Sequence, residues 1–277
     1  MILVAGGTGR LGTIVVSRLL ARGLDVRVLT RDRDRARHLR GAIDIVVGDV
    51  RERASVERAM DDVTTVVSAV HGFAGPGRVT PASVDHAGNV NLVDAASATG
   101  AAVVLMSVVG AAPDSPMELF RAKYQAEQHL LASVAPWTIV RATAFIELWA
   151  DILTKAPVFG RGDNPINFVS VRDVAALVER ATIDTGLRGR VLEIGGPRNM
   201  TFNELVGLVR DVRGRPKKIR HVPRWALRAM APLARQPRAA LTMDTIDMTF
   251  DAMAARIGYS DLPIIEPDGA LSQTPTA

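Results

Sequence analysis

The chain contains no cysteine. That excludes disulfides, thiolate nucleophiles and cysteine-ligated zinc, and it accords with a reducing compartment. Aromatic residues make up only 4% of the sequence, and its only tyrosines are Tyr124 and Tyr259, so chemistry that needs a phenol has two places to find one. No apolar run approaches the roughly 20 residues of a membrane-spanning helix; the longest, from Val103 to Ala112, is broken by a serine. No charged-then-apolar leader precedes the first apolar run, and the expected location is the cytoplasm. The histidines (His38, His71, His86, His129, His221) are scattered without metal-ligand spacing, and there is no P-loop, so no metal site is expected. Nor does one sign of charge dominate, with 34 Lys and Arg against 29 Asp and Glu. The basic excess sits between Arg210 and Arg238 and from Arg31 to Arg40. The first stretch carries Trp225, Leu227 and Met230 among its cations and reads as a solvated helix whose apolar side roofs a substrate pocket, or as an interfacial amphipathic helix. The expected partner is a small-molecule substrate, with no nucleic acid and no membrane insertion, in a monomer or homodimer.

What the sequence does have is apolar content, 48% over 277 residues, enough to bury a substantial core. Short apolar runs at Ile2–Ala5, Val26–Leu29, Ile43–Val47, Thr65–Val70, Val103–Ser107 and Thr138–Arg141 read as buried parallel strands. Helix-period segments lie between them; in Arg10–Arg22, for instance, Leu11, Val15 and Leu19 share a face and Gly23 supplies the stop. This alternation predicts an α/β, doubly wound parallel-sheet Rossmann fold with a smaller, mostly helical C-terminal substrate-binding part. The expected division is 1–145 for the dinucleotide-binding domain and 146–277 for the substrate-covering part, with strands near 166–171 and 191–194 returning to the main body. Helices are expected at Val171–Ala181, Thr201–Arg213, Arg224–Leu233 and Leu241–Ile257, and a loose tail over Glu266–Ala277.

The first strand runs into Ala5-Gly6-Gly7-Thr8-Gly9-Arg10-Leu11-Gly12. A turn without Cβ atoms lets backbone amides approach a pyrophosphate, and the helix that follows adds a favourable field. A purely structural tight turn is the alternative. Where the second strand ends, Thr30-Arg31 stands in place of the carboxylate that would bind a ribose 2′-hydroxyl. Arg31, helped by Arg10 and Arg35, can take a 2′-phosphate, so NADP(H) is the preferred cofactor and NAD(H) a possible one. Against this, Asp32 and Asp34 alternate with the arginines, as in a solvated helix start with local ion pairs.

With these residues in place, the chain resembles the NmrA-like, isoflavone-reductase-like branch of the extended and atypical short-chain dehydrogenase/reductase superfamily. The resemblance rests on Val4-Ala5-Gly6-Gly7-Thr8-Gly9, Gly48-Asp49-Val50, Ser107 closing the fifth strand, Arg121-Ala122-Lys123, Trp137-Thr138-Ile139-Val140-Arg141 and Asn167 through Ala175. It implies that Asp49 and Val50 touch the adenine, that Ala69, Val70 and His71 lie along the pyrophosphate and nicotinamide ribose, and that Ala142, Thr143 and Phe145 approach the nicotinamide. The family's proline after Arg141 is replaced here by Ala142. Of the family's catalytic Ser, Tyr and Lys, Ser107 and Lys123 are matched, whereas the tyrosine position four residues before Lys123 is Leu119.

Lys123 also falls inside the apolar stripe Leu119, Phe120, Ala126, Leu130, Leu131 of its helix, and an inward ammonium needs partners. Ribose hydroxyls would serve; so would an i to i+4 pair with Glu127. Ser107 either faces substrate or caps nearby backbone. His71 either donates a proton or packs beside the cofactor, and Glu147 and Asp151 either face the pocket or are solvated carboxylates at a helix start. The expected function is NADPH-dependent hydride transfer to a small apolar carbonyl, enone or quinone. The alternative is a non-catalytic NADP(H)-sensing regulator, and a sugar-nucleotide epimerase or dehydratase is the weaker third reading.

Overall fold

The computed structural model describes residues 1–73, 79–213, 220–255 and 259–272. In chain order its elements begin with β1 (Ile2–Ala5), α1 (Arg10–Ala21), β2 (Val26–Thr30), β3 (Asp44–Val47), α2 (Arg53–Ala59), β4 (Thr65–Ser68), α3 (Ala87–Thr99), β5 (Ala102–Val108), α4 (Glu118–Leu131) and β6 (Trp137–Ala142). There follow β7 (Ala144–Phe145), α5 (Ile146–Lys155), β8 (Val158–Phe159), β9 (Ile166–Val169), α6 (Val171–Ile183), β10 (Arg190–Ile194), β11 (Asn199–Met200) and α7 (Phe202–Arg213). The last are β12 (His221–Val222), α8 (Arg224–Met230), α9 (Arg235–Met243), α10 (Ala252–Ala255) and α11 (Pro267–Ser272).

Seven strands form one sheet in the order β10-β6-β5-β4-β1-β2-β3. The order in which strands are added reverses between β1 and β4, the topological switch point of a Rossmann fold, where such sheets bind ligands beyond the carboxyl ends of their strands. The registers Ile2 with Val26 and Ile2 with Thr65 are parallel, as buried, near-continuously apolar strands require. The chain divides into two compact units, Met1–Arg141 with Val174–Leu192, and Ala142–Asp173 with Glu193–Ala277.

In the first unit, α1 buries Leu11, Val15, Val16 and Leu19 and ends where the Leu24 N–H reaches back to the Leu19 carbonyl. A core of Leu3, Val56, Val66, Leu92, Val103, Leu105, Leu130 and Ile139 lies on the other face of the sheet, under α2, α3 and α4. Each of these side chains contributes about 1.5–3 kcal/mol on burial. Arg18 and Arg22 of α1 both bond the carboxylate of Glu179 in α6. Burial pushes that carboxyl up, but the two guanidinium groups outweigh it and hold it below the ordinary glutamate value.

In the second unit, β9 pairs with β7 and β11 in a three-stranded sheet. The single helix expected over Leu241–Ile257 is two, α9 and α10, because Asn164 Nδ2 donates to the carbonyls of Met243 and Ile246 and so draws them from the helical ladder. The expected loose tail is partly α11, whose Ala270 and Leu271 are buried and whose Gly269 and Ala270 carbonyls accept from Arg172; residues 273–277 lie outside the described residues. In α8, Leu227 is buried while Trp225 stands exposed. Residues 214–219 of the basic stretch also lie outside the described residues. Among the described residues no helix is long and apolar enough to cross a membrane.

Candidate functional site

The glycine turn connects β1 to α1. Gly6 has φ +84°, and a Cβ there would lie 2.6 Å from the Ala69 carbonyl oxygen, so only glycine lets this loop lie against the chain leaving β4. A Cβ on Gly12 would stand 2.2 Å from the Gly6 carbonyl oxygen and 2.7 Å from Gly7 Cα; the first turn of α1 therefore rests directly on the loop. The cap position, Gly9, offers no side-chain hydrogen bond to the helix, and no acidic residue stands in the first turn. The first amides of α1, at Arg10, Leu11 and Gly12, have no intrahelical acceptor, and the helix field there favours an anion. Thr8 is half-buried, Arg10 exposed and Leu11 buried. This is a cradle of backbone donors that a Cβ would fill, which fits a diphosphate.

At the ends of β2 and β3, the acidic residues are engaged locally. Asp32 accepts from the Asp34 N–H, and Asp34 pairs with Arg37. Arg31 is exposed. Asp49, placed just after β3, takes the Arg51 guanidinium through both carboxylate oxygens. That pairing leads the effects that lower its carboxyl below the ordinary aspartate value, burial opposes it, and Arg31 adds to the lowering. Arg31, Asp49 and Arg51 thus share one electrostatic neighbourhood. Val50 is buried and its carbonyl accepts from Asn91.

The third group lies where β4 and β5 end. Ser68 pairs in register with Leu105, and Val70 and Ser107 each follow two residues further along the chain. Ser107 is buried, and its hydroxyl has no hydrogen-bond partner among the described residues. Lys123 on α4 is 4% exposed; its ammonium donates to the Val70 carbonyl at 3.1 Å and stands 3.0 Å from Asp85 Oδ1. His71 Nδ1 lies 3.8 Å from the same oxygen, and Asp85 Oδ2 accepts from the Gly72 N–H at 2.7 Å. The His71 ring stacks on Phe73; residues 74–77 of this glycine-rich turn lie outside the described residues. Burial alone would raise the Asp85 carboxyl, but Lys123 and His71 together hold it below the ordinary value.

The pairing of Lys123 with Glu127 is not found. Glu127 is buried and accepts both nitrogens of the Arg141 fork, a bidentate geometry that an ammonium cannot match. The anion beside Lys123 is Asp85, a residue that periodicity did not single out. It sits in a π-helical turn, Pro81–His86, entered through a Thr80–Ser83 capping box, and such wider turns re-aim side chains relative to the regular helical pattern. The usable signal was Lys123 itself: an inward ammonium implies a buried carboxylate, and Glu127 was not the only one within reach.

The remaining expected residues belong to the second unit. Ala142 closes β6 and is buried. Thr143 donates its hydroxyl to Asn167 Oδ1 at 2.9 Å. Phe145 is the cap of α5. Glu147 is neither solvated nor free for chemistry: it is buried and accepts from Ser170 Oγ at 2.6 Å and the Val171 N–H at 2.9 Å, so it anchors the start of α6. The Tyr259 hydroxyl bonds the Glu193 carbonyl, and Tyr124 is half-buried on α4.

Comparison with known proteins gives the family and the fold of the chain. The sequence model of a family described as NAD(P)H-binding matches residues 6–184. The chain is 31% identical over 241 residues to a (4-alkanoyl-5-oxo-2,5-dihydrofuran-3-yl)methyl phosphate reductase of Streptomyces griseus, covering 84% of this chain and 82% of that one. It is 29% identical over 224 residues to an NAD(P)H azoreductase of Xenophilus azovorans, covering 78% and 75%. Its fold matches that of an NADPH-dependent quinone oxidoreductase from Escherichia coli complexed with NADPH, with a TM-score of 0.78 at 19% identity over 98% of this chain and 99% of the other.

Proposed function

Because the chain belongs to the NAD(P)H-binding family, within the NmrA-like reach of the extended short-chain dehydrogenase/reductase superfamily, we propose that it is an NAD(P)H-dependent oxidoreductase. In this reading NADPH is preferred, and hydride passes to a small, mostly apolar quinone, enone or aromatic ketone. The observation that carries the reading is Lys123, a buried ammonium fixed on the Val70 carbonyl, one residue from the Ala69 carbonyl against which the glycine turn is packed. A hydrogen-bond donor suited to a ribose beside donors suited to a diphosphate supports the reading. The reductase names of the two relatives support hydride chemistry.

When bound, the dinucleotide supplies a hydride; the residues of the chain do the rest. The amides of 6–12 would hold the diphosphate, Lys123 would orient the ribose, Asp49 and Val50 would line the adenine, and the Ser107 hydroxyl, unpartnered among the described residues, would hold the acceptor's oxygen. Much of the acceleration would come from positioning. The test follows NADPH oxidation with a panel of quinones, enones, aromatic ketones and azo compounds; turnover with one or more is expected. Tight NADPH binding without turnover on any acceptor overturns the enzyme reading and favours a cofactor-sensing protein, which Leu119 in the tyrosine position supports.

The NADPH preference rests on Arg31, exposed at the end of β2 with no carboxylate in its place. Arg31→Asp is expected to weaken NADPH by about ten-fold or more, the value of a charge-assisted hydrogen bond, and to improve NADH. Equal affinities of the native protein for the two cofactors, measured by calorimetry, would remove the basis of that preference.

A further inference from the structure

Two basic side chains converge on one buried carboxylate, and the reading above gives that carboxylate no task. Asp85 is fully buried, its Oδ2 is pinned by the Gly72 N–H, and its Oδ1 faces both Lys123 Nζ at 3.0 Å and His71 Nδ1 at 3.8 Å. We infer that Asp85 is the positioning residue of this site: it is the shared carboxylate that fixes Lys123 for the ribose and orients the imidazole of His71, which donates the proton that a tyrosine would otherwise supply. The proton's direction rests on the oxidoreductase reading; the electrostatic arrangement does not.

The geometry supports this in three ways. Asp85 reaches the imidazole at Nδ1, which leaves Nε2, on the opposite edge of the ring, for donation. The His71 side chain is 51% exposed, so it can meet an acceptor and be reprotonated by water, whereas the Asp85 carboxylate is sealed and cannot exchange roles with it. The hydroxyls of both tyrosines belong elsewhere, Tyr124 because it is one residue from Lys123 and points about a hundred degrees around the helix, Tyr259 because it is bonded to Glu193.

The chemistry balances. Hydride transfer moves two electrons and one hydrogen to the acceptor and leaves an enolate or phenolate oxyanion. The Nε2–H bond of His71 breaks as the new O–H or C–H bond of the acceptor forms, and the neutral imidazole regains its proton from water. Among the described residues, the charged groups that meet at this point are Asp85, from the turn Pro81–His86, and Lys123, from α4. His86 and His129 form a different neighbourhood, in which burial first and His129 second lower His86.

The test is an NMR titration of the His71 imidazole in the full-length chain, which needs no acceptor. Asp85→Asn, which keeps an oxygen for the Gly72 N–H, is expected to lower the His71 midpoint relative to the native protein, and Lys123→Met to raise it. Equal midpoints in the native protein and Asp85→Asn overturn the role of Asp85. With a competent acceptor, His71→Gln is expected to reduce kcat by about ten-fold to a hundred-fold and to change the pH profile of kcat. Unchanged kcat and pH profile in His71→Gln overturn proton donation. If no acceptor turns over, the oxidoreductase reading and the donor role fall together, while the titration still decides the role of Asp85.

Discussion

Gly12→Ala is expected to weaken NADPH binding by about a hundred-fold or more and to lower the melting temperature, whereas Gly9→Ala leaves stability close to that of the native chain. The difference is one of space. At Gly12 the added methyl would meet the Gly6 carbonyl at 2.2 Å and Gly7 Cα at 2.7 Å, both backbone, whereas at Gly9 it meets only the Gly6 carbonyl, at 3.3 Å. A backbone obstacle cannot rotate away, so α1 must lift from the loop or the loop must be pushed from Ala69. Overpacking of this kind costs about 1–3 kcal/mol. The amides then no longer converge on a diphosphate, and a loss of about 2.8 kcal/mol in binding is a hundred-fold. Calorimetric titration with NADPH and a thermal melt on each variant check both halves; native-like affinity in Gly12→Ala would mean the turn does not hold the cofactor.

Lys123→Met is expected to combine a stability loss with a binding loss, and the two separate by pH. Removing one partner of a buried ion pair costs about 3–5 kcal/mol, because the other charge is left without compensation. In the native chain Asp85 lies below its ordinary value despite burial, chiefly through Lys123 and then His71. Its ion pair therefore adds stability above the ordinary aspartate range, and that contribution is lost as the pH falls through the depressed folded value. In Lys123→Met burial dominates, the carboxyl rises above its unfolded value, and the sign reverses: the deficit shrinks as the pH falls and Asp85 takes a proton. Chemical denaturation at neutral and mildly acidic pH should show the difference between variant and native narrowing on acidification. The double variant Lys123→Met with Asp85→Leu is expected to recover much of the stability but none of the NADPH affinity. Recovery of both would show that Lys123 serves only the fold.

Much of the first unit was legible because strand and helix periods there are unambiguous. The run Ile2–Ala5 is β1 residue for residue, and the turn at Gly6 follows from it. What was not legible had a common cause, namely that a side chain from a distant element decided the local conformation. Asn164 splits the expected Leu241–Ile257 helix, Arg172 captures the chain at Gly269 and Ala270, and Arg141 takes Glu127 from Lys123. Asp85 was hidden differently, since the π-helical turn shifts it out of the 3.6-residue register that a sequence pattern can follow. At the cofactor site the backbone donors were readable from the glycines, whereas the ionic arrangement around Lys123 was not.

The first unit is not one stretch of chain: Val174–Leu192 returns to it after the departure at Arg141, bringing Glu179 to Arg18 and Arg22 and β10 to the rim of the sheet beside β6. The order of synthesis acquires a meaning from this. A nascent chain makes its glycine turn at residues 6–12, yet its outermost strand, β10, is synthesised only some 180 residues later. Until then β6 is a bare rim open to pairing with a neighbour, and two arginines on α1 await their anion. The nucleotide-binding layer thus closes late, only after the segment 142–173 has been translated.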